Sequence, residues 1–232
     1  MSAALDKIIQ FLWSPHDAVK VEAAIAVSIF LEHQDAAVDL VRPGLGKILK
    51  VYLQIMDEID FEDLVISLRR IVDAFENEIA PYAQSLCMKL SEAFCRLVKN
   101  NKNQGQEDID SEMGLTAERL MTAIRRVLQS IHGKFPELYP TLEAILEESI
   151  YLSFTDDNHG GDYVEEGITC ISELLYNQNT ISERMWKLYF HMMGLYISDA
   201  GVLDEYLAQI SVPIINYMTK APNEFKHANF TG

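Results

Sequence analysis

Residues 42–98 read RPGLGKILKVYLQIMDEIDFEDLVISLRRIVDAFENEIAPYAQSLCMKLSEAFCRLV, and one helical pattern is written in them twice. Counted from Pro43, apolar residues fall at Leu45, Ile48, Leu49, Tyr52, Leu53 and Met56, the one-face spacing of an amphipathic helix. Counted from Pro81, the same offsets give Ala83, Leu86, Cys87, Leu90, Ser91 and Phe94, with Ser91 as the departure. Between the copies, Phe61, Leu64, Val65, Leu68, Ile71, Val72 and Phe75 form a second amphipathic helix, with Asp60 placed to cap its free amides. The stretch is one helix-pair repeat followed by the start of the next.

The offsets recur outward. From Asp6 they meet Ile8, Phe11 and Leu12; from Pro140, Leu142, Ile145, Leu146 and Ile150; from Glu183, Met185, Leu188, Tyr189, Met192, Met193 and Tyr196. All but one of the intervals between origins lie near the roughly 40 to 47 residues of a HEAT or armadillo unit. The long interval holds an insertion. The fold expected is all-α, a right-handed α-solenoid of about five HEAT-type helix pairs.

The chain then divides as one array over residues 1–232. The pairs span 3–33, 42–77, 81–133, 136–176 and 181–219, and a frayed tail covers 220–232. Ser14-Pro15-His16-Asp17 reads as the cap and first turn of the second helix. Residues 100–112 are polar and acidic at their end, and read as a mobile loop. Thr180-Ile181-Ser182-Glu183 has capping-box spacing, and Pro213 should interrupt or kink the last helix.

Composition agrees with a stacked array. A chain of 232 residues with 49% hydrophobic content can bury a large core. No run of eighteen apolar residues offers a membrane span, and residues 1–9 lack the basic start and long apolar centre of a signal peptide, so an intracellular setting is expected. Cys87, Cys95 and Cys170 fall on helical core positions without a CxxC pair, as buried thiols do.

At these residues the chain resembles the importin-β superfamily (karyopherins), and within it the importin-seven and importin-eight type. The resemblance rests on Arg42-Pro43 leading to Leu49, Tyr52-Leu53 and Ile55-Met56, on Ile59-Asp60 and Asp63-Leu64-Val65, and on Ala80-Pro81-Tyr82-Ala83 with Leu86-Cys87 and Leu90. It continues at Tyr163, Glu165-Glu166, and Ser182 with Met185-Trp186. It implies a receptor that carries basic cargo, such as ribosomal proteins or histones, through pores lined with Phe-Gly repeats under control of the GTPase Ran. Residence in cytoplasm, nucleus and the nuclear envelope at pores follows. In that family Ran is held chiefly by N-terminal repeats, and this chain resembles a middle or later stretch, so Ran binding is expected of a full-length array.

Charge narrows the partners independently. Nineteen Lys and Arg against 35 Asp and Glu leave a net charge of −16, which opposes nucleic acid and favours a basic protein. Carboxylates recur at helix starts and loops: Glu62 and Asp63; Glu107, Asp108, Asp110 and Glu112; Glu165 and Glu166; Asp204 and Glu205. If the second helix of each pair lines a concave face, as the resemblance implies, several of these share one groove and steer a basic segment to it. The same residues also suit the positive ends of helix dipoles. Trp186, Met192 and Met193 could form an aromatic-repeat pocket, but their offsets favour the core.

Catalytic patterns do not assemble. A calcium loop counted from Asp156 through Asn158 and Asp162 has Gly167 where a bidentate Glu is needed. Asp156-Asp157 lacks the second acidic cluster of a metal-diphosphate site. The histidines are scattered, and Gly44-Leu45-Gly46-Lys47 lacks phosphate-loop spacing and a preceding strand. No enzyme, metal or cofactor is expected. The rival readings are a HEAT scaffold that holds other subunits together and, further off, a helical metal-dependent enzyme.

Overall fold

The computed structural model describes residues 2–58, 62–101, 107–155, 163–176, 178–197 and 206–230, and every regular element among them is helical. The α-helices are α1 (Ser2–Phe11), α2 (Asp17–His33), α3 (Asp35–Val41), α4 (Leu45–Glu58), α5 (Glu62–Ala74), α6 (Ala83–Asn101), α7 (Glu107–Ser130), α8 (Tyr139–Thr155), α9 (Val164–Tyr176), α10 (Glu183–Ile197), α11 (Leu207–Lys220) and α12 (Pro222–Phe230). Short 3-10 turns carrying Pro43, Pro81 and Pro136 lead into α4, α6 and α8. A proline there costs nothing, because the first-turn amide has no partner to lose.

The helices form two layers. In the first, α4, α6, α8 and α10 lie side by side; in the second, α2, α5, α7, α9 and α11 do so. Helices α1 and α3 cover α2 at the start of the array, and α12 packs on α11 at its end. One apolar core runs between the layers through Tyr52, Leu68, Phe94, Leu128, Leu146, Ile171 and Tyr189. Burying each such side chain contributes about 1.5–3 kcal/mol. The architecture is the all-α helix-pair solenoid that the repeated offsets describe.

The offsets counted from Pro43 and Pro81 are buried, apart from the partly covered Leu53. Even Ser91 is buried, and its hydroxyl donates to the Ile145 carbonyl of α8 at 3.1 Å. A small residue with one satisfied hydrogen bond fits this joint without orphaning a polar group. Phe11 is the exception: it is 53% exposed, and Leu5 with Leu12 buries α1 instead. Inside the core, Tyr52 of α4 donates to the Ala24 carbonyl of α2 and accepts from Ser67 at 2.9 Å. Tyr217 of α11 likewise donates to the Met185 carbonyl of α10 at 2.5 Å.

Several local expectations are corrected. The polar stretch is not a loop through residue 112: α6 continues to Asn101 and α7 begins at Glu107. Residues 107–112 contain no Gly or Pro, and carboxylates in a first turn oppose the helix dipole favourably. The tail is not frayed through residue 230, because α12 starts on Pro222 and rests Phe225 against Tyr189, centroids 5.8 Å apart. Helix α11 runs through Pro213 without interruption, with the proline ring buried. The linker after His33 is itself helical, as α3. Ser14 does not cap α2; its hydroxyl takes the His16 amide instead. Asp60 and residues 156–162 lie outside the described residues.

The start of α10 shows how the pairs are joined. Ser182, not Thr180, takes the capping role, accepting the Met185 amide at 3.2 Å. The same hydroxyl donates at 2.6 Å to Glu143, whose other oxygen receives Gln178. Glu143 is 3% exposed, so this buried carboxylate anchors the α9–α10 connection to α8. Gly167 lets α9 approach α8 closely: a Cβ there would lie 2.0 Å from Ser153 Oγ.

Candidate partner-binding edge

Ion pairs between second-layer helices fix the direction of the helices that carry the carboxylates. Arg125 of α7 meets Glu166 of α9, and His132, just beyond α7, meets Glu173 further along α9 at 2.6 Å. Residue numbers rise together on both sides, so the helices are parallel. Asp73 near the end of α5 faces Arg126 near the end of α7 at 3.8 Å, and Lys134 reaches Asn77 at 3.0 Å, giving the same sense to α5 and α7. The starts of α5, α7 and α9 therefore point the same way, but not at one level: the first turn of α9 stands beside Arg125, near the end of α7.

Most of the acidic residues singled out by the sequence stand at those starts. Glu62 opens α5 and Asp63 follows it, exposed. Glu107 opens α7, with Asp108, Asp110 and Glu112 in its first turns. Glu165 and Glu166 occupy the first turn of α9, Glu165 exposed. Asp204 and Glu205 precede α11 and lie outside the described residues. The carboxylates thus stand at the positive ends of successive parallel helices, where negative charge favours the helix.

The sides of the same helices carry ion pairs across their joints. Each joint in this layer from α2 to α9 carries an ion pair: Glu32 with Arg70 at 2.8 Å, Asp73 with Arg126, and Glu166 with Arg125. Glu166 departs most from its reading as an open carboxylate. Its side chain is 15% exposed, Arg125 Nη2 donates to Oε1 at 3.2 Å, and Thr122 Oγ1 donates to the same oxygen at 3.1 Å. These arginines were visible in the sequence, but their partners lie on neighbouring helices and need the register to be known.

The first layer presents two grooves. One, about 410 Å³, lies between α6 and α8 and is lined by Met88, Ser91, Cys95, Arg96, Ile145 and Glu148. The other, about 440 Å³, lies between α8 and α10 and is lined by Ala144, Glu147, Tyr151, Lys187 and Leu188. Lys99 with Glu148 at 2.5 Å and Arg184 with Glu147 at 3.1 Å span them. Sequence reasoning missed these grooves, although Met88 and Tyr151, apolar yet 40% and 46% exposed, were the readable sign. Trp186 packs against Tyr189 and Tyr217, and Met192 is fully buried, so this aromatic set belongs to the core.

Nothing among the described residues has catalytic form. The thiols are buried, and burial pushes Cys87 up to about 12 and Cys95 up to about 11, which holds both protonated at neutral pH. No cluster of three or more His, Cys, Asp or Glu residues suited to a metal occurs among the described residues. No helix among them is long and apolar enough to cross a membrane.

No family model matches the chain, and no solved structure matches it. Among curated proteins it is 31% identical over 226 residues to an importin beta-like SAD2 homolog of Arabidopsis thaliana, covering 97% of this chain and 21% of that protein. It is 28% identical over 220 residues to a probable importin-7 homolog of Dictyostelium discoideum, covering 94% of the chain and 20% of the relative. It is 25% identical over 207 residues to importin-8 of Mus musculus, covering 88% and 19%. The chain spans about a fifth of the length of these relatives.

Proposed function

We infer that this chain, homologous along nearly its whole length to a segment of importin-β-type proteins of the importin-7 and importin-8 kind, is a protein-binding helical array that serves nuclear import of basic cargo. Its work is binding, not catalysis. The observation that supports the reading is the likeness to importin-type proteins along nearly the whole chain, joined by a net charge of −16 and carboxylates at the starts of α5, α7 and α9. A lysine- or arginine-rich segment is drawn to this negative charge. Ribosomal proteins and histones have the required chemistry.

The first-layer grooves support a second contact, with the Phe-Gly repeats of pore proteins. Each groove sets an exposed Met88 or Tyr151 near an aliphatic Ile145 or Leu188 within a charged rim, and a phenylalanine ring is of a size to enter. Ran acts on the full-length array in this reading, and the protein moves between cytoplasm, nucleus and nuclear envelope.

The test is a binding titration of a basic cargo protein on the chain and on the variant Glu107→Gln, Asp108→Asn, Asp110→Asn, Glu112→Gln, with Ran bound to GTP in a parallel sample. Weaker binding by the variant at low salt is expected. Unchanged affinity would remove the α7 start from the site. Capture of one stoichiometric, non-basic folded subunit in place of cargo would favour the scaffold.

A further inference from the structure

Arginine is concentrated on two helices of this acidic chain. Five of its eight arginines, Arg69, Arg70, Arg119, Arg125 and Arg126, lie on α5 and α7, and neither helix carries a lysine. Arg126 is exposed and the other four are partly exposed, so all five stand on the solvent side of the second layer. Ion pairs show which way they turn. Arg70 pairs with Glu32 on the α2 side, and Arg125 with Glu166 on the α9 side. Asp73 meets Arg126 across the joint between the parallel helices α5 and α7. Residues three or four apart share one stripe of a helix, so Arg69, one turn before Asp73, and Arg119, two turns before Arg126, line the same furrow between α5 and α7. From Arg69 to Asp73 on one wall and from Arg119 to Arg126 on the other, three guanidiniums share a single carboxylate, and Arg126 already holds it at 3.8 Å. Arg69 makes no ion pair or hydrogen bond among the described residues, and its Nε is shielded from water with no acceptor in reach.

We propose that the furrow between α5 and α7 docks an acidic peptide segment of a partner protein, with a carboxylate of that segment seated on Arg69. A polar group shielded from water is ordinarily paired, and a cation left without an acceptor costs the fold stability that a carboxylate from outside restores. The residue type points the same way. Positive charge near the ends of α5 and α7 suits the helix dipole, but lysine would serve that purpose equally well. The guanidinium fork is what binds a carboxylate by two parallel hydrogen bonds, and it gives up its hydration more readily than an ammonium. Recognition here is short-range. A net charge of −16 repels an acidic peptide at a distance, so the furrow works by contact and not by steering. The inference goes beyond the cargo reading and does not rest on it, since the partner's charge is opposite and the residues are different.

Fluorescence anisotropy with a labelled glutamate hexamer tests it, at about 0.15 M salt, where a screening length of about 8 Å quiets distant charge and leaves contact pairs. Wild type should bind the hexamer. Arg69→Gln should bind it about tenfold more weakly, the loss of one charge-assisted contact. Arg184→Gln makes the same charge change on α10, in the first layer, and should bind as wild type does. Because Arg69 bonds nothing in the fold, Arg69→Gln should leave the thermal midpoint unchanged, which separates lost binding from lost structure. Failure of wild type to bind the hexamer, unchanged affinity in Arg69→Gln, an equal loss in Arg184→Gln, or a lowered midpoint in Arg69→Gln would each overturn the proposal, and the arginines would then serve helix ends and joints alone. The affinity of the chain for a basic cargo bears only on the cargo reading.

Discussion

A single methyl group has opposite effects at two glycines of this array. At Gly167 an added Cβ would stand 2.0 Å from Ser153 Oγ and 3.1 Å from Ser153 Cβ, whereas at Gly194 nothing lies within 4 Å. Gly167→Ala should lower stability by about 1–3 kcal/mol, since α9 must back away from α8. Gly194→Ala, in the last turn of α10, should raise it by up to about 1 kcal/mol by removing unfolded-chain freedom. Thermal denaturation of the two variants side by side checks both signs. The thiols give a pH prediction. Burial raises Cys87 to about 12 and Cys95 to about 11 from a usual 9.0, so the folded state holds protons that the unfolded state releases. Their contribution is whole below pH 9 and is lost as pH rises through 11 to 12. Denaturant midpoints measured from pH 8 upward should fall, and fall less in a Cys87→Ala, Cys95→Ala variant relative to its own value at pH 8. Glu143 was illegible at this scale, because nothing local separates it from its surface neighbours Glu147 and Glu148. Its burial depends on Gln178 and Ser182, far along the chain.

At the scale of elements, α10 depends on one hydroxyl. Ser182→Ala removes the cap on the Met185 amide and a donor to Glu143, and should cost about 0.5–2 kcal/mol, toward the upper end because the carboxylate loses a partner in the core. Chemical denaturation measures it. The helices themselves were largely readable, since a stripe of apolar residues at 3.6 spacing reports the face each one buries. What escaped was the polar start of α7 and the whole of α12. From Glu107 to Glu112 only Ile109 is apolar, so no stripe marks the helix, and its carboxylates look the same in a loop and in a first turn. In α12 the aromatic Phe225 finds Tyr189 through the fold and not through a periodic pattern.

For the whole molecule, a net charge of −16 makes the proposed capture of a basic cargo a long-range electrostatic event. Association of a basic cargo should slow steeply as salt rises from 0.1 to 1 M and the screening length shrinks from about 10 to about 3 Å, while dissociation changes less. Stopped-flow binding across that range separates the two. The acidic helix starts were half legible in the sequence: Asp63, Glu107 and Glu165 show their place there, but the level of each start depends on the register between neighbouring helices. That Glu166 turns instead to Arg125 depends on the register between two helices that sequence spacing does not report. One more property follows from the order α2, α5, α7, α9, α11, in which each second-layer helix meets the one before and the one after. The two ends are mechanically connected only through the middle. Small tilts at successive joints add along the array, so the molecule behaves as a spring whose ends can move far while each interface shifts little.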